Sequence, residues 1–241
     1  GFPTPDHDAF QGTHGFFQLF YKEEGDLDLL VSDLGKRHEI VWANPKPFPS
    51  HRGTHPGITG VLAILQKTKI KAEEVEEVRI YVEKGRKEFF ERERDKRYRP
   101  PRLADVQHSH PYLVAVALLK GRLSLEDFTE EAIRNEKVLQ LAERVKVLHD
   151  PKLELDHGPM VIKPNVVEIV ARDGTIYSER VEYPKGHPNN PLTQDEKLTY
   201  FRDLTRFAAK GLALENVEKV ISLVTAMEDS QDVSGLSRLL T

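Results

Sequence analysis

Apolar residues recur along this chain with two periods, and the switches between them lay out its elements. Phe16, Phe17, Leu19 and Phe20, then Leu27, Leu29, Leu30 and Leu34, follow helical spacing, and Gly35 stands where a helix C-cap favours glycine. Residues 38–43 read as a strand delivering the chain to Lys46. After a proline-stiffened turn, Thr54 stands as a helix cap with Pro56 in the first turn, and Ile58, Val61, Leu62 and Leu65 line one face. Alternation returns at Val78, Ile80 and Val82, interleaved with Arg79 and Tyr81, which predicts a strand with one buried face. Residues 84–102 form a mixed-sign charge run carrying Phe89, Phe90 and Tyr98, and read as a solvated helix or loop.

Ser109 then caps a strongly apolar helix over residues 113–119, with Pro111 in its first turn and Gly121 at its end. A short helix over 135–143 leads into a strand bearing Val145 and Val147. Strands over 166–172 and 175–183 are joined through Asp173-Gly174, the chemistry of a tight hairpin. Thr193-Gln194-Asp195-Glu196 is a capping box for a helix with Leu198, Phe201, Leu204, Phe207 and Ala208 inward, and a last helix carries Val217, Val220, Ile221 and Val224. The pattern is α+β: a helical entry, a mixed middle and a helical tail.

Composition narrows what such a chain does. At 241 residues with 39% hydrophobic content it has enough apolar mass for a core. A net charge of −4 supplies no basic field for nucleic acid or an anionic membrane, so any anion must be caught locally. With no cysteine there are no disulfides, thiolate nucleophiles or cysteine-held clusters. No apolar run approaches the roughly 20 residues of a membrane span, so a soluble, cytoplasmic protein is the expectation. The 31% charged residues, with two Met and no Cys, lean toward a heat-loving source. The first residue is Gly1, inside a Gly/Pro/Asp-rich stretch, which reads as a fragment or as a separately made part of something larger.

The chemistry concentrates in Lys46-Pro47-Phe48-Pro49-Ser50-His51-Arg52-Gly53-Thr54-His55-Pro56, where a lysine, an arginine and two histidines share one turn ahead of a helix. Proline fixes φ at Pro47 and Pro49 and keeps the preceding residues extended, so side chains there point in set directions. His51 and His55 fall at or just before a helix N-terminus, whose partial positive charge favours a carboxylate and disfavours protonated histidine. Lys46 supplies a point charge and Arg52 a two-pronged carboxylate clamp.

Five segments in order give the chain a resemblance to the C-terminal half of the MmgE/PrpD family, which includes 2-methylcitrate dehydratase and cis-aconitate decarboxylase. They are Gly12-Thr13-His14-Gly15-Phe16, Lys46-Pro47-Phe48-Pro49, Thr54-His55-Pro56, the stretch from Ser109 to Leu119 with Gly121, and Gly186-His187-Pro188 followed by Pro191-Leu192-Thr193. The resemblance implies a small mixed α/β lid domain at residues 36–190. Segments 1–35 and 191–241 would then belong to a large helical domain mostly absent from this chain. It implies a cofactor-free and metal-free lyase acting on a small di- or tricarboxylate. Lys46, His51 and Tyr112 are then catalytic residues of the lid, and Arg52 and His55 bind substrate. Loss of water or carbon dioxide from such an acid passes through an enolate-like state, for which a histidine or tyrosine can move the proton. The implied partner is the helical N-terminal half, as a separate polypeptide or a missing segment, within a dimeric assembly; without it the chain is expected to be inactive or nearly so.

Each residue has a plainer reading. Lys46 is otherwise a solvated loop lysine, Arg52 a surface ion-pair partner, His51 and His55 backbone-bonded cap residues, and Tyr112 a core aromatic. His187, between glycine and proline, reads as a turn residue. His108, Ser109 and His110 do not suit a metal or a triad, because residues so close in sequence do not converge and no acidic partner is placed. The alternatives to a lyase component are a non-catalytic binding or regulatory lid-like domain, and an epimerase or isomerase component on the same scaffold.

Overall fold

The computed structural model describes residues 8–22, 26–154 and 163–240, so the glycine- and proline-rich start at residues 1–7 lies outside the described residues. Two compact units emerge, Gly1–Ala43 and Asn44–Thr241. Among its described residues the first holds three short α-helices, α1 (Asp8–Gln11), α2 (Phe16–Tyr21) and α3 (Leu27–Val31). Asp26 caps α3 by accepting from the amides of Asp28 and Leu29, and Gly35 adopts φ 75° soon after it. Three short helices cannot enclose a core: Leu19, Phe20, Leu29, Leu34, Ile40 and Trp42 are all more than 60% exposed.

Residues 38–43 do not form the expected strand. Glu39–Trp42 is a single 3-10 turn, closed by the Val41 amide on the His38 carbonyl and the Ala43 amide on the Ile40 carbonyl. The alternation was too short to decide the conformation, and no described strand pairs with the segment to accept its backbone groups.

The second unit is built on a four-stranded sheet of β1 (Val75–Val82), β2 (Val145–His149), β3 (Asn165–Ala171) and β4 (Ile176–Val181) in the order β2-β1-β3-β4. β1 runs parallel to β2 and antiparallel to β3, and β3 pairs antiparallel with β4. The hairpin turns where expected, with Gly174 at φ 87° and its amide on the Ala171 carbonyl. Between β1 and β2 lie α5 (Lys84–Glu91), α6 (Arg94–Tyr98), α7 (Leu103–Val106), α8 (His110–Lys120) and α9 (Glu136–Ala142); α4 (His55–Thr68) precedes β1. The tail is α10 (Gln194–Thr205), α11 (Leu214–Thr225) and α12 (Ser234–Leu239). The architecture is thus a mixed α+β fold.

Alternation dictates the two faces of the sheet. Val78, Ile80, Val167 and Ile169 are fully buried against Ile58 and Val61 of α4 and the apolar length of α8. The opposite face carries Glu77, Arg79, Tyr81, Lys146 and Glu168, with Arg79 bonded to Glu77 at 2.6 Å and Tyr81 Oη donating to Glu168 at 3.1 Å. The charge run also resolves into two faces: α5 buries Phe90 and the guanidinium side of Arg86 while its lysines and glutamates stay out.

Capping chemistry is mostly as the sequence predicts. Ser109 accepts from the Tyr112 amide at 3.1 Å and donates to the Arg97 carbonyl, Gly121 ends α8 at φ 66°, and Thr193 and Glu196 exchange both bonds of the capping box. Thr54 differs. Its hydroxyl donates back to the His51 carbonyl at 2.7 Å and meets Ser50 Oγ at 2.9 Å, so it ties the preceding turn together and does not cap α4.

Helix α4 approaches the sheet closely because residue 60 is glycine. A β-carbon there would lie 2.6 Å from Val167 Cγ2 and 3.3 Å from Val181 Cγ2. Gly60→Val is expected to lower unfolding stability by about 2–3 kcal/mol through overpacking, read as a fall in the urea midpoint at constant slope.

Candidate functional site

The proline turn places its polar groups through a short chain of local bonds. His51 Nδ1 accepts the Gly53 amide at 3.2 Å, which caps the 3-10 turn Arg52–Thr54 that runs directly into α4. The His51 amide in turn donates to the Gln107 carbonyl at 2.8 Å, tying the turn to the segment before α8. Behind the lysine, Gly186 at φ 90° comes so close that a β-carbon would sit 2.3 Å from the Pro45 carbonyl oxygen. The two segments that the sequence analysis picked out, around residues 46 and 186, therefore meet.

Lys46, His51 and Arg52 are exposed on this turn. Neither Lys46 nor Arg52 has a carboxylate partner among the described residues. The cations of the neighbouring groove, by contrast, are paired. A groove of about 710 Å³ beside Pro47 and Phe48 is lined by Lys185 and Arg122, which bond to Glu196 at 2.8 Å and Glu126 at 2.6 Å. On this turn two cations that have no carboxylate partner among the described residues stand close enough to His51 to act on its charge.

The remaining predicted residues lie deeper. His55 is only 2% exposed, its Nε2–H directed at the Ser50 carbonyl at 3.4 Å and its ring edge-on to Phe48 at 5.2 Å. Burial, reinforced by the charges of Lys46 and Arg52, brings its pKa down to about 4. Tyr112 is 1% exposed in the core, and its hydroxyl donates to the Ala132 carbonyl at 3.0 Å and the Asp127 carbonyl at 3.4 Å. Burial pushes its pKa up to about 12. The structure therefore groups Lys46, His51 and Arg52 at the surface, with His55 beneath them as a fixed strut, whereas the Tyr112 hydroxyl is held by loops beyond α8.

Three residues join the site that sequence reasoning left out. His108 lies against His51 with ring centroids 5.1 Å apart and planes at 32°, and Phe89 flanks both rings at 6.3 and 6.5 Å. Arg86, mostly buried, donates to the Gly53 carbonyl and to Asn165 Oδ1, both at 3.2 Å, with Glu83 3.4 Å from its Nε. It fastens the turn to β3. The signal available beforehand was Phe89-Phe90 inside a charge run, which marks one helix face as inward. His51 is held below the ordinary histidine pKa by partial burial, then by the charges of His108, Lys46, Arg86 and Arg52. It is neutral near pH 7.

His110 is fully buried against Gly57, where a β-carbon would lie 2.2 Å from its Nε2, and packs against Phe90 with ring centroids 4.6 Å apart and planes tilted by 48°. The Thr54 backbone is close enough to favour its charged form, but neither ring nitrogen reaches hydrogen-bond geometry. Burial brings its pKa down to about 3. His108 and His110 thus turn to different neighbours, as their spacing implied.

Buried neutral histidines make folding proton-sensitive. With folded pKa values of about 4 and about 3 against 6.5 for the unfolded chain, the unfolded state binds more protons below pH 6.5, so stability is full above that value and falls as the pH drops toward 4. Between pH 6.5 and 5, where exposed carboxylates stay ionised, His55 and His110 should each withdraw roughly 2 kcal/mol. Urea unfolding at pH 7, 6 and 5 checks this, and a flat profile would contradict the burial described.

The sequence is similar to known proteins. The chain is 27% identical over 228 residues to cis-aconitate decarboxylase of Mus musculus, covering 93% of this chain and 45% of that protein. It is 34% identical over 87 residues to the mitochondrial 2-methylcitrate dehydratase of Yarrowia lipolytica and 37% identical over 87 residues to 2-methylcitrate dehydratase of Cupriavidus necator, covering 35% of this chain and 17% and 18% of theirs. The chain thus spans less than half the length of these relatives. Residues 48–225, which include α4, the whole sheet, α8 and the histidine cluster, match the MmgE/PrpD C-terminal domain, and the chain belongs to the MmgE/PrpD family.

Proposed function

We propose that this chain is the lid-bearing part of a cofactor-independent lyase acting on a small di- or tricarboxylate, completed by a helical N-terminal half. The observation that carries the reading is the pair of cations, Lys46 and Arg52, without a carboxylate partner among the described residues and beside the neutral His51 on one exposed turn of a family member. A polycarboxylate needs such charges to replace its water, and a bidentate guanidinium with a point-charge ammonium offers two different grips. His55 and Arg86 serve this turn from below, and Tyr112 serves the core. The contact set in this chain is therefore Lys46, His51 and Arg52.

The turn is open, and an open cationic surface neither excludes water nor surrounds a reacting carbon. Chemistry of this kind calls for a second wall. Apolar side chains of the first unit, with Phe20 71% and Leu34 71% exposed, and Leu214 of α11 at 71%, provide surface for a helical partner to cover. That partner is either a further stretch of a longer chain or a second polypeptide, and a two-fold assembly of the completed unit is part of the proposal.

Native mass spectrometry of the protein isolated from its source tests the assembly. A second polypeptide bound to the 27.5 kDa chain, or a longer chain containing it, is expected; this chain alone, inert toward cis-aconitate and 2-methylcitrate, would favour a binding domain. In the completed assembly Lys46→Ala is expected to lower kcat/KM by about 100-fold or more, with an unchanged unfolding midpoint, since an exposed loop lysine contributes little to stability. Unaltered turnover in that variant would remove Lys46 from the site.

A further inference from the structure

We propose that His108 is a positioning residue for His51: its ring backs the His51 imidazole while the Gly53 amide occupies Nδ1, leaving Nε2–H as the one polar atom His51 offers a ligand. A backbone amide only donates. The 3.2 Å contact from Gly53 to Nδ1 therefore requires a lone pair on Nδ1 and puts the proton of the neutral ring on Nε2. Nε2 has no protein partner among the described residues, so it is the free end of the ring.

The position of the ring is fixed from two sides. His108 lies 5.1 Å away at 32°, and Gly53 is small enough for the approach, since a β-carbon there would already lie 3.0 Å from Nδ1 and 3.1 Å from Cε1. His108 Nδ1 is itself buried without a partner, a cost that its packing alone does not explain. The Arg97 guanidinium donates to the His108 carbonyl at 3.3 Å and lies 4.8 Å over the Phe89 ring, so the backing layer is anchored to α6.

A second proton on His51 meets opposition from every packed element. Lys46 and Arg52 approach from its own turn, Arg86 from α5, and His108 from the segment before α8, while Phe89 adds apolar surface. Protonation at Nδ1 would also break the Gly53 bond and loosen the turn. His51 therefore presents a hydrogen-bond donor to an anionic oxygen and has no outward lone pair with which to accept a proton. This replaces the expectation that His51 moves a proton, and places it with neutral imidazoles that polarise an oxygen. The polycarboxylate reading supplies the anion; the state of the imidazole stands apart from it.

Multiple-bond 1H–15N NMR of the 241-residue chain tests the proposal without any assay of turnover, the His51 signals being identified by their loss in His51→Gln. At pH 7 His51 is expected to show an unprotonated Nδ1 and a protonated Nε2, with a titration midpoint below 6.5. His108→Ala should mix the tautomers and raise the midpoint, and His108→Phe, which keeps a ring and removes its titratable nitrogens, should keep the tautomer and raise the midpoint less. An Nδ1–H tautomer in the parent chain, or an unmoved midpoint in a folded His108 variant, would overturn it. If His108→Ala does not fold, His108→Phe decides alone. Because no substrate enters the measurement, a failed lyase reading leaves its outcome intact.

Discussion

The close seating of α4 is the constraint on which the candidate site depends. Gly57 and Gly60 lie one turn apart on the helix; the first admits the His110 ring and the second admits Val167 and Val181. Side chains at these positions would lift α4 from β3, β4 and α8 together. The N-terminus of α4 carries the turn with Lys46, His51 and Arg52 directly before it, so helix seating is converted into side-chain placement. Gly186 against the Pro45 carbonyl closes the same turn from the other side.

Electrostatics at this turn follow from what is buried and what is not. Cations are gathered on the outside, while the histidines beneath are deprived of water and stay neutral. Arg86 is the exception, a buried charge tolerated because it donates to the Gly53 carbonyl and Asn165 and lies beside Glu83. It locks the turn to the sheet that the helix also contacts. The outcome is a local cationic surface on a chain whose overall charge is negative.

The two units differ in how far they satisfy themselves. Residues 44–241 hold a continuous core of Val, Ile and Leu between the sheet and α4 and α8, with a salt-bridged outer sheet face. The described residues of the unit 1–43 keep most of their large apolar side chains in solvent. Short helices gain stability chiefly from burying a face, and the described residues of this unit bury little of theirs. Among the described residues no helix is long and apolar enough to cross a membrane.

Much was legible in the sequence because local rules acted alone there. The period-two run at residues 78–82, the strand read over 166–172, the Asp173-Gly174 turn, the Ser109 and Thr193 caps and the stop at Gly121 each depend on residues within a few positions. The segment 38–43 failed because pairing, not alternation, makes a strand. At the site, the sequence marked the cationic turn by its density of Lys, Arg and His between prolines, and family resemblance added Tyr112. Only the tertiary structure separated exposed Lys46, His51 and Arg52 from buried His55 and Tyr112, and only it brought His108 and Arg86, far along the chain, to the back of the His51 ring. Which groups face solvent, and what stands behind them, are fixed by how helices seat on a sheet, and that depends on contacts between distant residues that no local pattern records.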